Sequence, residues 1–130
     1  MARSNIKAVI SADIDRVWKT VTSVEKYTWR SDLSKTETVD GKRFIEYTRE
    51  GYPTMFTVTA EEPMKRWEFD MENTNMKGHW TGIFTSRDGS VEIDFTEEVT
   101  AKKFFLRPFV KGYLKKQQRQ FVDDLKKAVE

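Results

Sequence analysis

Hydrophobic and polar residues alternate with a period of two along most of the chain, which is typical of β-strands with one buried face. The alternation begins at residues 5–11 and resumes from about residue 33 to residue 99. The dipeptides Asp40-Gly41, Glu50-Gly51 and Asp88-Gly89 interrupt the second stretch and favour tight turns. Because connections this short join antiparallel neighbours, the pattern predicts an antiparallel sheet of about seven strands.

Three other segments have helical spacing. Residues 14–21 place apolar side chains at i, i+3, i+4 and i+7, and Ser11 or Asp13 can cap this short helix. Residues 25–32 are typical of a second, shorter helix or a helical turn. An apolar stripe runs from residue 106 to residue 129, and Pro108 suits the first turn of this long helix. The sequence therefore predicts a single α+β domain over residues 1–130.

Composition narrows the class of protein. The 130 residues suffice for one core, and the chain has no cysteine, so disulfides and thiolate chemistry are excluded. No run approaches the ~20 apolar residues that span a bilayer, and residues 1–5 lack the apolar core of a signal peptide. We expect a cytoplasmic protein without stable membrane insertion. Aromatic residues, at 13%, are abundant enough to fill or line an interior space.

Charge is distributed unevenly along the chain. Residues 1–101 carry 14 basic and 18 acidic side chains, whereas residues 102–130 carry 9 basic and 3 acidic ones. The basic face of the last helix is typical of a solvated surface, although it can also attract a protein partner, anionic lipid or nucleic acid. Aromatic residues for base stacking do not interleave with that face, so we expect no nucleic-acid binding.

The turn at Asp88-Gly89 fixes a register for its hairpin. It pairs Trp80 with Glu97 and predicts that both side chains lie on the inner face of the sheet. The rest of that face is apolar and includes Phe84 and Phe95. Glu97 is therefore a carboxylate predicted inside an apolar face. It is either a polar anchor or acid–base group with a pKa raised by burial, or a residue at a strand end that meets water or a lysine.

The hairpin at Glu50-Gly51 is interpreted in the same way. A two-residue loop there places Tyr47 on the inner face together with Phe56. His79 is the only histidine, and without cysteine or a second histidine it cannot form a usual zinc site. No glycine-rich phosphate loop is present either, so we expect neither metal nor cofactor.

The order of elements resembles the helix-grip fold of the START-like (SRPBCC) superfamily, which includes the polyketide cyclase/dehydrase family. The resemblance covers the whole chain, and its local marks lie at residues 12–18, 27–29 and 78–84. It implies a curved sheet that grips the long helix, with two short helices after the first strand and a cavity between sheet and helix. In relatives this cavity holds apolar or aromatic molecules. The superfamily has no universal catalytic signature, so the resemblance assigns no catalytic residue.

Three functions are consistent with the sequence. The leading hypothesis is a carrier or sensor that binds a small hydrophobic or aromatic molecule in this cavity. The second is a cyclase- or aromatase-like enzyme in which Glu97 or Tyr47 moves protons, and the third is a protein-interaction module that uses the basic last helix. The candidate ligand-binding residues are Tyr47, Trp80, Phe84, Phe95, Glu97, Phe109, Tyr113 and Gln117.

Overall fold

A computed structural model describes residues 1–130 and has one seven-stranded antiparallel sheet, ordered β1-β7-β6-β5-β4-β3-β2, with a long helix against its concave face. The predicted α+β helix-grip architecture is confirmed. The strands are β1 (Ala2–Ile10), β2 (Leu33–Thr38), β3 (Arg43–Thr48), β4 (Pro53–Glu62), β5 (Arg66–Glu72), β6 (Met76–Arg87) and β7 (Ser90–Ala101). The helices are α1 (Ile14–Thr22) and α2 (Arg107–Val129), and a 3₁₀ turn (Phe104–Leu106) precedes α2.

The hairpin between β6 and β7 has the register that the sequence predicts. Trp80 lies opposite Glu97, and the connection turns at Asp88-Gly89, where both residues have positive φ. Positive φ at both central positions matches the twist of the flanking strands, which explains why this dipeptide closes the hairpin. The register carries Glu97 onto the concave face.

The hairpin between β3 and β4 differs from the prediction by one residue. Its loop has three residues, because the Thr48 amide donates to the Tyr52 carbonyl (3.0 Å) and Gly51 adopts a φ of 85°. This shift turns every β3 side chain to the other face of the sheet. The prediction that Tyr47 lies on the inner face is therefore wrong. Phe44 and Glu46 occupy that face instead.

The second short helix is absent. Residues 23–32 form turns, one of which is closed by the Arg30 amide donating to the Tyr27 carbonyl (2.8 Å). A longer helix would need the Ser31 amide to donate four residues back, but it donates to the carboxylate of Asp124 on α2 (2.8 Å). The contact with α2 therefore replaces the helical hydrogen bond.

The core lies between the concave face of the sheet and the two helices. Asp13 caps α1 by accepting from the Arg16 amide (2.9 Å), and Val17 and Trp18 face inward. Between β1 and α2, the buried Ser4 hydroxyl donates to the Gln118 carbonyl oxygen (2.7 Å). None of the helices combines the length and apolar character needed to cross a bilayer.

Candidate functional site

A cavity of about 150 Å³ lies between the concave face and α2. Aromatic rings form much of its wall: Trp80 stacks on Phe69 with centroids 4.9 Å apart, and Trp67 meets Trp80 edge-on at 6.0 Å. Phe121 contributes a further ring from α2. A cavity of this size is large enough to bind a molecule such as benzene.

Glu72 and Tyr113, the two exposed residues that line the cavity, lie toward one end of the sheet, so we infer that the cavity opens there. The β3–β4 loop, the β5–β6 turn and the start of the last helical segment share this end, because Met76 pairs with Ala101 and Met55 pairs with Glu72. Glu72 and Met76 line the cavity here, together with Tyr113 of α2, which is 47% exposed. Tyr113 therefore stands between the cavity and solvent.

An arginine on the turn before β2 brings positive charge to the cavity wall. The Arg30 guanidinium donates two hydrogen bonds to Asp32 (3.0 and 2.9 Å) and one to Glu46 (3.4 Å). It also lies 4.8 Å from the centroid of the Phe121 ring. Burial lowers the pKa of Arg30, but Glu46 and Asp32 together raise this pKa by more than burial lowers it. The guanidinium therefore remains charged. Burial has the larger effect on Glu46 and raises the pKa of its carboxyl, against the opposing charge of Arg30.

Glu97 is the carboxyl without a partner in this cavity wall. Burial raises its pKa to about 7, Arg30 lowers it, and the charge of Glu46 raises it again. No hydrogen bond or salt bridge within the chain involves its side chain, unlike those of Asp32 and Glu46. Both the neutral and the charged forms of Glu97 are therefore populated near neutral pH. Burial also raises the pKa of Tyr113, and the charge of Glu97 adds to this effect.

Two hydrogen-bond donors in the cavity wall also lack partners. The indole N–H groups of Trp29 and Trp67 are buried and have no acceptor. An unsatisfied buried donor is costly, and most native structures contain few of them. The wall thus combines apolar rings with polar groups whose hydrogen-bonding capacity is unused.

Half of the eight candidate ligand-binding residues line the cavity. These are Trp80, Glu97, Tyr113 and Gln117. Phe84 and Phe95 lie instead in the solid core, where Phe84 meets the Trp18 ring of α1 at 5.1 Å and Phe95 is 1% exposed. The sequence places Trp80, Phe84, Phe95 and Glu97 on one face of the sheet. The helix α1 covers the part of that face that holds Phe84.

The remaining two candidates point away from the cavity. Tyr47 is on the convex face, where its ring lies 5.3 Å from the Lys35 ammonium. Phe109 is 71% exposed, because the buried stripe of α2 runs through the neighbouring Val110 and Leu114. The prediction that Tyr47 and Phe109 line the cavity is therefore wrong.

Sequence reasoning missed the charged residues of the wall other than Glu97, which are Arg30, Asp32, Glu46 and Glu72. Arg30 and Asp32 lie in turns, where no periodicity indicates the direction of a side chain. Glu46 could have been found from a three-residue loop at Gly51, since that register turns it inward together with Phe44.

Comparisons with known proteins agree with this architecture. A model of the family described as "Polyketide cyclase / dehydrase and lipid transport" matches residues 1–130. A search of curated protein sequences found no match. A START superfamily protein from Mycobacterium smegmatis has a similar structure, with a TM-score of 0.87 at 12% identity over 99% of this chain and 97% of that one.

Two further solved structures are similar. A conserved protein from Geobacillus kaustophilus has a TM-score of 0.83 at 11% identity, covering 96% of this chain and 93% of that one. The di-domain ARO/CYC protein BexL, from the BE-7585A biosynthetic pathway, has a TM-score of 0.83 at 13% identity, covering 98% of this chain and 46% of that one. These likenesses establish the START-like fold. Because the family model covers its full length, the chain belongs to the polyketide cyclase/dehydrase and lipid transport family.

Proposed function

We propose that the protein binds a small hydrophobic molecule with a single aromatic ring in the cavity between the sheet and α2. The observation that carries the proposal is the aromatic wall, in which Phe69, Trp80 and Phe121 surround a space of about 150 Å³. Such rings provide apolar contact, and a few polar groups then fix the orientation of the ligand. Carrier and sensor functions both use a site of this kind.

The size of the cavity limits the ligand. Pockets for drug-sized molecules are typically about 300–1,000 Å³, whereas this cavity is about 150 Å³. A one-ring compound fits without rearrangement, and a multi-ring compound requires the wall to move. We therefore favour a phenol-sized ligand.

The polar groups favour a ligand that carries a hydroxyl or an N–H group. Glu97 offers a carboxylate without a donor, and a ligand hydroxyl could supply one. A hydrogen bond to a charged group contributes more than one between neutral groups. p-Cresol should therefore bind about tenfold more tightly than toluene, which has the same ring and methyl group but no hydroxyl.

The test is to titrate the protein with p-cresol and with toluene and to monitor binding through the amide and indole NMR signals. Both compounds should shift the indole signals of Trp29, Trp67 and Trp80. Met71 lines the cavity, so Met71→Trp should abolish binding by filling it. Met55→Trp is the matched control, because Met55 lies on the adjacent strand and on the opposite face of the sheet.

Two results would contradict the proposal. One is the absence of any shift with either compound, and the other is unchanged binding by Met71→Trp. The role of Glu97 is tested separately with Glu97→Leu. This variant should still bind toluene but should lose its preference for p-cresol, and a retained preference would reject the hydrogen bond without rejecting the cavity.

A second candidate function is a cyclase-like enzyme, favoured by a carboxyl with a pKa near 7 inside the cavity. A general acid–base group is most effective when its pKa is close to the working pH. A suitable probe is a linear seven-carbon triketone, which forms orcinol and water on aldol cyclisation. Glu97→Gln should abolish any catalysed orcinol formation without loss of thermal stability, and catalysis by that variant at the wild-type rate would exclude Glu97 as the acid–base group.

A further inference from the structure

The 3₁₀ turn before α2 and the first turns of α2 expose an unusual cluster of aromatic side chains. Phe104, Phe105 and Phe109 are 77, 59 and 71% exposed, and Tyr113 follows at 47%. The three phenylalanines are more exposed than any other large hydrophobic residue except Met1. We call these four residues the aromatic patch. Single exposed hydrophobic residues are ordinary, but a contiguous group of them marks an interaction surface.

The aromatic patch is surrounded by positive charge. Seven lysine and arginine residues and no acidic residue lie between positions 102 and 119. Lys102 is paired with Glu72 (2.6 Å), so its charge is partly neutralised. The others that flank the patch are exposed and form no salt bridge: Lys103, Arg107, Lys111, Lys115 and Lys116. The partner that complements this surface is therefore anionic as well as apolar.

The aromatic patch is also continuous with the cavity mouth. Phe109 and Tyr113 are four residues apart on α2, so their side chains are neighbours on one face of the helix. Tyr113 lines the cavity, and the patch lies at the end of the sheet toward which the cavity opens. A surface that covers the patch would therefore face the mouth of the cavity.

We propose that the aromatic patch and its flanking basic residues dock the protein on the surface of an anionic lipid bilayer. Aromatic rings insert at the boundary between headgroups and acyl chains, and lysine and arginine are attracted to anionic headgroups. The Phe104 and Phe105 rings lie at 85° to each other and are both exposed on the 3₁₀ turn before α2. A fluid surface adapts to this shape, whereas a folded partner would need a matching pocket for each ring.

Other occupants fit the observations less well. A second copy of this surface would bring two clusters of positive charge together, which opposes self-association. Contrary to the expectation from the sequence, exposed aromatic residues do interleave with the basic residues here, and a single nucleic-acid strand can stack its bases on such rings. The Phe104 and Phe105 rings are inclined at 85° to each other and form no platform of parallel faces for successive bases, so a nucleic acid fits less well than a bilayer. The proposal concerns docking at the bilayer surface and does not depend on a particular cavity ligand.

The test is sedimentation of the protein with phosphatidylcholine vesicles that contain or lack phosphatidylglycerol. We expect partitioning onto the anionic vesicles to be about tenfold stronger, and to weaken with added salt. Phe104→Ser/Phe105→Ser/Phe109→Ser should reduce binding about tenfold, and Arg107→Gln/Lys111→Gln should reduce both the binding and its salt dependence. The matched control is Val9→Ser/Val39→Ser, which removes exposed apolar side chains at the opposite end of the sheet and should bind like the wild type.

Three outcomes would overturn the proposal. The first is equal or negligible binding to both kinds of vesicle. The second is binding of single-stranded or duplex DNA that exceeds binding to the anionic vesicles at the same salt concentration, which would assign the surface to a nucleic acid. The third is a wild-type dimer in solution that the phenylalanine variant converts to a monomer, which would assign the aromatic patch to a contact between copies.

Discussion

At the scale of single residues, the unpartnered carboxyl of Glu97 gives the protein a stability that depends on pH. Its pKa rises from an ordinary value of 4.5 to about 7 in the folded state, chiefly through burial. The folded state therefore holds its proton over a range in which the unfolded chain has released it. The contribution of Glu97 to stability is complete below about pH 4.5 and is lost as the pH rises through about 7.

Glu97→Gln tests this dependence, because the amide stays neutral at every pH. We expect the variant and the wild type to have similar free energies of unfolding near pH 5. Near pH 8 the variant should be more stable by about 2 kcal/mol, a value that allows for partial exposure of the carboxyl to cavity water. Urea unfolding at both pH values measures the difference.

Glu98→Gln is the matched control for this substitution. Glu98 is the exposed neighbour of Glu97 on β7, and its side chain points to the other face of the sheet. This variant should follow the wild type at both pH values. A Glu97→Gln difference that is the same at pH 5 and pH 8 would show that the charge of Glu97 is not what destabilises the fold.

At the scale of elements, the fold was predictable from the sequence to the extent that a turn fixed the register. Asp88 and Gly89 both adopt positive φ, so the β6–β7 pairing and the inward position of Glu97 follow from the sequence. At Gly51 the loop has one residue more than the dipeptide indicates. Phe44 and Ile45 are both apolar, so alternation alone could not reveal that β3 faces the other way.

The candidate site was less predictable than the fold, because part of its wall comes from turns and from packing between elements. Arg30 points to the cavity because Asp32 and Glu46 hold its guanidinium. The turn that carries Arg30 is held by a hydrogen bond from the Ser31 amide to Asp124 of α2, and these two residues are 93 positions apart in the sequence. No local pattern encodes a contact over that distance. Phe84 likewise does not line the cavity because α1 packs over it, and the position of α1 is set by tertiary packing.

On β6, the glycine between Trp80 and Phe84 shapes the aromatic wall. A Cβ atom added at Gly82 would overlap the Trp80 ring and would approach Phe95 Cδ1 to 3.2 Å. Gly82→Ala should therefore displace the Trp80 indole and lower the free energy of unfolding by about 2 kcal/mol, as overpacking of a core does. Urea unfolding measures the loss, and the Trp80 indole NMR signal reports the displacement.

Gly112→Ala is the comparison for this glycine. Gly112 lies in α2, and an added Cβ would meet no atom within 4 Å. Alanine has the higher helix propensity, so this variant should be more stable than the wild type by about 0.5–1 kcal/mol. If Gly82→Ala were as stable as the wild type with an unshifted Trp80 signal, close packing at Gly82 would not determine the position of the indole.

At the scale of the whole molecule, α2 connects the cavity to the exposed surface. Its C-terminal half fixes the turn that carries Arg30, through Asp124. Its N-terminal half carries the aromatic patch together with the 3₁₀ turn before it. The segment from residue 102 onward has an excess of six positive charges, whereas residues 1–101 have an excess of four negative ones. An anionic surface would therefore attract one end of the molecule and repel much of the rest, which favours a single orientation with the cavity mouth toward the lipid.

This orientation can be measured by site-specific labelling, because the chain contains no cysteine. Gly112→Cys introduces a thiol beside the aromatic patch without removing any of its residues, and Val9→Cys introduces one at the opposite end of the sheet. With a polarity-sensitive fluorophore on each thiol, anionic vesicles should shift the emission to the blue at position 112, where the label enters a less polar region. The emission at position 9 should stay unchanged. Equal shifts at both positions would mean that the protein binds without a preferred orientation, and the cavity mouth would then have no special relation to the bilayer.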